Sequence, residues 1–579
     1  MGRGQGIQRF PMEHLEEGWL EGVVPDAGPG THYRFCIDEE DRVPDPASAF
    51  QPVGVHGPSQ VVDPAAYPWR SDAWEGRPWH EAVFYEVHVG AFTRQGTFEG
   101  LQRRLDHLAE LGVTALELMP VAAFSGARNW GYDGVYPFAP DDSYGEPDTL
   151  RALVDEAHGR GLMVFLDVVY NHFGPEGNYL RRYAPQFFTD RFETPWGEGI
   201  DFHRPQVRQF FIQNAIQWLE DYRFDGLRLD AVHAIVDESE PHILQEMAET
   251  VEARFAGRRR VHLVLENGGN EARWLERTGK GRPRWYAAQW NDDLHHAMHV
   301  LGTGESDGYY QAYSHDPLGH LARTLTEGFA YQGDPFPTAE GPRRGEPSGH
   351  LPPTAFVGFL QNHDQVGNRP LGDRITDLAA PNVVESLLAL LLLAPSPPLL
   401  FMGEEWAAPE PFFFFCDFGQ PLAGQVQEGR RREFSSFRGF REPAARERIP
   451  DPNARESFLR SVLDWDLRSE EPHASRLARV KKLLRTRRKV LTPLLRSAPG
   501  GAARWERHGA GGLIAQWHLG DGALWSLRAN LVDEALTPVP PEPTGLRIHT
   551  TRKGSDPEKR AHSALPPWTV EWYMEKAPR

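Results

Sequence analysis

Apolar runs alternate with amphipathic helical segments through most of this chain, and this alternation constrains the fold more than any other feature. Helical patterns, such as the leucines of residues 101–111 that Gly112 closes and the segments 147–160 and 207–222, separate the runs. Buried strands separated by helices predict an α/β fold with a closed parallel (β/α)8 TIM barrel, or alternatively a doubly wound open sheet. The predicted strands are Val83 to Phe92, Ala115 to Val121, Met163 to Tyr170, Gly226 to Val232, Val261 to Glu266, Ala288 to Trp290, Ala355 to Gln361 and Leu399 to Met402.

The segments on either side of the barrel have a different pattern. Short extended runs between Pro- and Gly-rich turns predict an incomplete β-sandwich-like module at the N-terminus and an antiparallel β-sandwich at the C-terminus. We place the N-terminal module at 1–66, a Pro- and Trp-rich linker at 67–80, the barrel at 81–490 with inserted loops at 173–203 and 316–350, and the C-terminal domain at 500–579. Inserted loops of this length can wall a cleft.

Charge and cysteine usage limit the partners. A formal net charge of -19 argues against nucleic acid and anionic membranes, which would repel the protein, and suits a neutral ligand. Cys36 and Cys416 lie too far apart in sequence to suggest a disulfide framework, which favours a reducing compartment. We see no signal peptide in the polar residues 1–10, and prolines cut the apolar run at residues 387–393 short of a bilayer span. We therefore predict a cytoplasmic protein and expect a monomer.

An arginine and an aspartate lie on the same side of the predicted fourth strand. Side chains alternate along a strand, so Arg228 and Asp230 point to the same face, opposite Leu227 and Leu229. Taking such a pair out of water costs several kcal/mol, so it is either a well-matched structural ion pair or a functional one. This motif alone leaves both readings open.

Other predicted strands also end in polar groups. The third strand ends in Asp167 to His172, the fifth in Glu266 and the seventh in Asn362-His363-Asp364. Because a barrel carries its chemistry at the carboxyl ends of its strands, all these groups are expected on one rim. So many ionisable groups on one rim favour a functional site over a structural accident.

Carboxylates in a cleft that suits a neutral ligand are typical of glycoside hydrolysis or transfer. Arg228 is expected to hold Asp230 ionised, as a nucleophile requires, and the apolar neighbours of Glu266 suit a general acid. For a retaining mechanism the two carboxyl groups should be about 5 to 5.5 Å apart.

With these residues in view, the chain resembles the α-amylase superfamily of retaining glycoside hydrolases and transferases. Its four sequence blocks match at Asp167 to His172, Gly226 to His233, Leu263 to Glu266 and Asn362 to Asp364. The resemblance implies Asp230 as nucleophile, Glu266 as acid/base and Asp364 as a third carboxylate that binds and distorts the sugar. It also implies that His172, Arg228 and His363 hold the sugar at the cleavage point, with Tyr132 of the Trp130-to-Asp133 segment beneath it.

Within the superfamily, the chain is most similar to the maltooligosyltrehalose trehalohydrolases. The likeness spans nearly the whole chain and includes residues 129–144, 167–180, 289–299 and 361–369. It implies cleavage of the α-1,4 bond next to the terminal trehalose of an α-glucan oligosaccharide. It also implies sugar contacts from residues on both sides of that bond, namely Trp130, His233, Asp292, Asp293, His295, His296, Gln365 and Asn368.

Three other functions remain open. A glycogen branching enzyme has the same catalytic trio but tends to have Ser-His-Asp where this chain has Asn362-His363-Asp364. A general maltogenic amylase and a non-catalytic glucan-binding barrel are the others. The i, i+4 pair His295 and His299 could bind zinc, but no Glu follows His295 as in zinc proteases, so we expect neither a metal nor a cofactor.

Overall fold

The computed structural model describes residues 7–38, 41–194, 197–337, 343–552 and 564–576. At its centre is a closed barrel of parallel strands, in which each strand pairs with its neighbours in the chain and the eighth pairs with the first. The barrel strands are Phe84–Val87, Ala115–Leu118, Met163–Val168, Gly226–Leu229, His262–Leu265, Ala288–Trp290, Phe356–Phe359 and Pro398–Phe401. The predicted (β/α)8 barrel is confirmed, and the open-sheet alternative is wrong.

Most strands end sooner than the apolar runs do. The first ends at Val87 because Val89–Phe92 is a helical turn, capped by the His88 ring, which accepts a hydrogen bond from the Ala91 N–H at 3.0 Å. The fourth ends at Leu229, two residues before Ala231, whose φ of 41° lies in the left-handed region. The chain therefore leaves the barrel wall where the polar residues begin.

Helices surround the barrel and bury their apolar faces on it. Gly112 ends the helix Leu105–Leu111 in the left-handed conformation, as predicted. The helices of eight or more residues are Pro147–Gly159, Pro205–Glu220, Ile243–Phe255, Asp292–Thr303, Pro317–Glu327, Pro381–Leu393, Leu422–Glu433 and His473–Thr486. Shorter ones are Phe98–Gln102, Leu180–Tyr183, His363–Gly367, Ile375–Leu378, Pro443–Arg446, Arg455–Arg460 and Thr492–Leu495.

Tryptophans of the predicted linker close the amino-terminal end of the barrel. The Trp79 ring packs 5.7 Å from Phe84, which points into the barrel interior with Phe165 and Phe359. Trp74 donates its Nε1–H to Asp225 Oδ1 at 2.7 Å. Indole N–H groups find partners when buried, so these contacts fasten the linker to the barrel.

Asp225 is the anchor of that contact, and we expect Asp225→Ala to lower the free energy of unfolding by about 2 to 4 kcal/mol. The carboxylate is fully buried and accepts hydrogen bonds from Trp74, from the Val164 N–H and from His158. Its removal leaves several buried donors without a partner. Chemical denaturation checks the value, and Trp74→Phe, which removes one donor, should cost only about 1 kcal/mol. Equal losses in the two variants would contradict this account.

The N-terminal region consists of short paired strands within the described residues. The pairs are Glu13–His14 with Leu20–Glu21, His32–Tyr33 with Ser59–Gln60, and Phe35–Ile37 with Asp41–Val43. Residues 1–6 and 39–40 of the predicted module, 195–196 and 338–342 of the two insertions, and 553–563 and 577–579 of the C-terminal domain lie outside the described residues. The first insertion contains the hairpin Phe188–Thr194 with Gly197–Ile200. The domain boundaries stay predictions.

The C-terminal region forms one antiparallel sheet in the part that the structure describes. In spatial order, its strands are Ala503–His508, Gly512–His518, Leu524–Asn530, Thr569–Glu575 and Leu546–Thr550. Trp517, Trp525 and Trp572 on its apolar face donate to the carbonyl oxygens of Leu325, Leu393 and Ala389. The sheet thus packs on two barrel helices, Pro317–Glu327 and Pro381–Leu393. The predicted sandwich would have a second sheet in their place. The indole donors explain why the sheet stays attached.

Candidate active site

Three carboxylates stand at the carboxyl ends of barrel strands. The Asp230 N–H donates to Val168 O at 3.0 Å, and the Glu266 N–H donates to Leu229 O at 3.0 Å. Both residues therefore extend the strand ladder by one residue, which places their side chains at the rim. Asp364 lies in the helix His363–Gly367, whose first turn is capped by the Asn362 side chain.

A buried arginine joins the carboxylates. Arg228 is fully buried, and its Nη1 lies 2.7 Å from Asp167 Oδ2 and 2.9 Å from Asp230 Oδ1. Its Nη2 lies 3.0 Å from Glu266 Oε2. The guanidinium also stacks 4.2 Å above the Trp290 ring. One cation thus faces several carboxylates in a water-poor place, where electrostatic interactions are strong.

Asp230 is held in one orientation from both sides. Arg228 binds Oδ1, and the Asn171 side-chain amide donates to Oδ2 at 2.9 Å. The side chain keeps 13% of its surface exposed, so one edge of the carboxylate faces the open end of the barrel. This is the arrangement that an oriented nucleophile needs.

Glu266 has a different setting from the one that its sequence neighbours suggested. Leu263 and Leu265 pack in the outer core, and Val264 packs in the barrel interior. The Glu266 carboxylate instead accepts a hydrogen bond from the Ala231 N–H at 2.7 Å and faces Arg228. The expectation of apolar surroundings was wrong because strand alternation turns Leu263 and Leu265 outward, and Val264, on the inner face, lies one layer deeper in the barrel than Glu266.

A buried histidine lies between the third carboxylate and Glu86. His363 Nδ1 is 2.5 Å from Glu86 Oε1, and its Nε2 is 3.5 Å from Asp364 Oδ1. Burial favours the neutral ring, but the carboxylates of Asp364 and Glu86 outweigh it and raise the pKa of His363 to about 9. Asp364 itself accepts from the Asn368 amide at 2.9 Å and is 37% exposed.

Tyr132 connects this histidine to the arginine. Its ring stacks on His363 with centroids 5.1 Å apart, and its hydroxyl donates to Asp167 Oδ2 at 2.7 Å. Burial and the Asp230 charge raise the pKa of Asp167 to about 7, although Arg228 works against the rise. The rim is therefore one connected network from Glu86 to Glu266.

With this geometry in place, we compared the chain with known proteins. Residues 67–196 match the family model of the alpha amylase catalytic domain, and residues 500–572 match a domain of unknown function, DUF3459. The malto-oligosyltrehalose trehalohydrolase of Deinococcus radiodurans is 44% identical over 520 residues, which cover 88% of this chain and 84% of that protein. The chain belongs to the malto-oligosyltrehalose trehalohydrolase family. The trehalohydrolase of Rhizobium sp. is 41% identical over 86% of this chain and 84% of its own length.

A solved structure gives the same picture of the fold. The crystal structure of a Salmonella typhimurium protein classed as an alpha amylase superposes with a TM-score of 0.92 and 43% identity, covering 98% of this chain and 94% of that one. A Paenibacillus barengoltzii pullulanase, at 19% identity and a TM-score of 0.67, shares the fold.

In this trehalohydrolase family member, the helix Asp292–Thr303 divides the predicted sugar-binding residues. Asp292 is partly exposed, and the Gln365 side-chain amide donates to it at 3.2 Å. Burial raises the pKa of Asp292 to about 7, helped by the nearby Glu266 and Asp364 charges. Asp292 and Gln365 therefore lie at the rim with the carboxylates.

The next residues of that helix point away from the rim. Asp293 is buried and accepts hydrogen bonds from the Asn270 amide at 3.0 Å and the Ala330 N–H at 2.8 Å. His295 is also buried and donates Nδ1–H to Leu360 O at 2.7 Å. The His296 ring, partly buried, stacks 4.7 Å from Tyr313. Asp293 and His295 thus hold the protein together, and the structure does not bring them to the cleft.

Other predicted residues also divide between rim and core. The exposed His233 accepts a hydrogen bond from the Gly268 N–H at 3.1 Å, between the loops after the fourth and fifth strands. His172 is buried, donates Nε2–H to Tyr132 O at 2.9 Å, and has its pKa lowered by burial to about 4. Asn368 lies against Asp364.

Trp130 is a core residue. It is 3% exposed, stacks on Phe412 with centroids 5.3 Å apart, and donates Nε1–H to Phe413 O at 2.9 Å. Its ring edge meets His363 at 5.5 Å. It supports the histidine from behind, and the sequence-based assignment to the sugar surface does not fit this burial.

Sequence reasoning missed Glu86 and Trp290 as parts of the site, and it placed Asn171 at the rim without assigning it a role. Glu86 had a usable signal, because it is a carboxylate inside the apolar run of the first strand, just as Arg228 is in the fourth. Trp290 had none, since its place over Arg228 depends on barrel closure.

The structure offers no metal site in the ranges that it describes. His299 Nε2 lies 2.7 Å from Glu305 Oε2, and His295 bonds to a backbone carbonyl. Among the described residues, no group of three or more His, Cys, Asp or Glu side chains is placed to hold an ion. Within the same ranges, no helix is both long and apolar enough to span a membrane.

Proposed function

We propose that this protein is a retaining glycoside hydrolase that cleaves the α-1,4-glucosidic bond next to the terminal trehalose of maltooligosyltrehalose and releases trehalose. The observation that carries the proposal is the pair Asp230 and Glu266, each held by one nitrogen of the buried Arg228 guanidinium at the barrel rim. The substrate comes from the named activity of relatives that match the chain over most of its length.

In the first step, Asp230 attacks the anomeric carbon of the sugar while Glu266 gives its proton to the departing glycosidic oxygen. Trehalose leaves, and the rest of the glucan remains as an ester on Asp230. In the second step, Glu266 takes a proton from a water molecule, which attacks the same carbon and frees Asp230. Two inversions give overall retention, and the predicted separation of about 5 to 5.5 Å between the carboxyl groups suits this path.

The remaining rim residues hold the sugar. Asp364 is partly exposed beside the imidazolium of His363 and is placed to accept hydrogen bonds from sugar hydroxyls. The Tyr132 ring offers a flat face next to His363 for the sugar at the cleavage point. Asp292, Gln365 and His233 extend the polar rim beyond these residues.

We also propose that the enzyme acts as a monomer in the cytoplasm. Both cysteines are free, with Cys36 exposed and Cys416 buried. An exposed thiol persists most readily in a reducing compartment.

Product analysis tests the substrate. The purified protein is given maltotriosyltrehalose and, separately, maltopentaose, and the products are resolved by chromatography. Rapid release of trehalose from the first substrate, with the second nearly untouched, is the expected result. Equal attack on both would identify a general amylase, longer or branched products a branching enzyme, and no turnover a glucan-binding protein.

Asp292 should give substrate binding a pH dependence. Its pKa of about 7 means that it gains its charge between about pH 6 and 8, and an ionised carboxylate accepts hydroxyl hydrogen bonds more strongly. We expect KM to fall as the pH is raised through this range, and Asp292→Asn to remove that fall. Initial rates over the pH range check this. A parent KM that does not change from pH 6 to 8 would contradict it.

A further inference from the structure

Both carboxylate oxygens of Glu86 contact the same residue, His363. Glu86 lies on the first barrel strand and is 1% exposed. Its Oε1 is 2.5 Å from His363 Nδ1, and its Oε2 accepts the His363 backbone N–H at 3.0 Å. A carboxylate that binds both the ring and the backbone of its partner fixes the position and the rotation of that ring.

The other side of the ring indicates its protonation. His363 Nε2 lies 2.8 Å from the Tyr132 hydroxyl, and that hydroxyl lies 2.7 Å from Asp167 Oδ2. Tyr132 has one proton for these two contacts, and Asp167 Oδ2 already accepts from Arg228 at 2.7 Å. If Tyr132 donates to Asp167, then His363 Nε2 must donate to Tyr132. With Nδ1 donating to Glu86, the ring carries both protons.

Charged and titratable groups surround the ring from every element that packs on it. Asp364, on the same helix, and Glu86 favour the cation, whereas Arg228 opposes it. The groups that face it are Glu86 on the first strand with His88 just beyond it, Glu117 on the second strand, Tyr132 in the following loop, Arg228 on the fourth strand and Asp364. Burial keeps Glu117 and His88 neutral, because it raises the pKa of Glu117 and lowers that of His88 to about 4. The charges of Asp364 and Glu86 outweigh that of Arg228, in keeping with a pKa of His363 of about 9.

We propose that Glu86 is a positioning residue that keeps His363 doubly protonated and aligned beside Asp364 during glycoside cleavage. The inference rests on the proposed function, since it concerns the same site. Glu86 reaches the substrate only through His363. Its charge holds a cation beneath the cleft, where the cation orients Asp364 and Tyr132.

The test is Glu86→Gln, which keeps the side-chain volume and removes the charge. Without that carboxylate the imidazolium loses a charge-assisted hydrogen bond, so the part of the alkaline limb of the kcat/KM profile that the ionisation of His363 adds should move down from about pH 9 by about one to two units. Glu86→Asp restores the charge and should return the limb to its parent position. Glu117→Gln is the control for exchanging a buried carboxyl for an amide on the next strand. Glu117 makes no hydrogen bond to His363, and burial raises its pKa well above the usual range, so the exchange removes no charge and the limb should not move.

A second measurement needs no substrate. The ring 15N shifts of His363, assigned by comparison with His363→Asn, should show mostly imidazolium in the parent at about pH 8 and a ring that is at least half neutral in Glu86→Gln. A neutral ring in the parent would overturn the proposal, and so would a Glu86→Gln limb that stays in place while only thermal stability falls. If the parent cleaves plain maltooligosaccharides equally well, the proposed substrate fails, and the limb is measured on those instead.

Discussion

Replacing Asp230 by Asn is expected to lower kcat by about 10⁴- to 10⁶-fold, the range seen when a catalytic nucleophile or its partner is removed. The amide cannot form the glycosyl ester. It keeps the size of the carboxylate, and Arg228 retains its contacts with Asp167 and Glu266. The fold should therefore survive, and the loss should appear in steady-state rates on maltotriosyltrehalose with an unchanged circular dichroism spectrum.

Azide distinguishes the nucleophile from the other carboxylates. In Asp230→Ala, azide can occupy the vacated space and attack the anomeric carbon directly, which gives a glycosyl azide of inverted configuration. Asp364→Ala has an intact nucleophile and should give no such product. Activity of Asp230→Asn above about one hundredth of the parent would show that another residue is the nucleophile.

Replacing Arg228 by Met is expected to abolish activity and to lower the free energy of unfolding by about 3 to 5 kcal/mol at neutral pH. The change leaves the carboxylates of Asp167, Asp230 and Glu266 facing one another without their shared cation. Denaturation curves measure the loss. Arg254→Met is the control, because Arg254 pairs with Glu220 at the surface and should contribute less than about 1 kcal/mol.

The stability lost in Arg228→Met should depend on pH. Arg228 lowers the pKa of Asp167, so without it that pKa rises above its present value of about 7, against 3.8 in the unfolded chain. The folded variant then binds a proton that the unfolded chain does not, and its stability falls as the pH rises. Below about pH 6 the folded parent holds the same proton, so the deficit relative to the parent should be constant there, and it should grow as the pH rises through 7 and above. A deficit that is also constant through pH 7 would contradict this role.

The alternation of apolar runs and helical stripes was enough to predict the barrel, because both patterns are local. A strand is buried on both faces here, so its residues are apolar whatever their distant partners are. The end of a strand can also be read from the local pattern. Because Asp230, Glu266 and Asp364 each follow the end of a parallel strand, the sequence predicted them at one rim. The sequence also showed Arg228 and Asp230 on one face of a strand. The ends of most strands were predicted too late, because Val89 and Val232 are apolar but helical.

The sequence by itself thus determined the barrel, the order of its strands and the carboxylates on its rim. Only the tertiary structure decided which neighbours those groups have. Glu86 and His363 are 277 residues apart, and no spacing in the chain connects them. Packing alone set the rotation of the helix Asp292–Thr303, which brings Asp292 to the rim and buries Asp293 and His295. It also surrounded Glu266 with donors and buried Trp130, because the environment of a side chain depends on every element that closes around it.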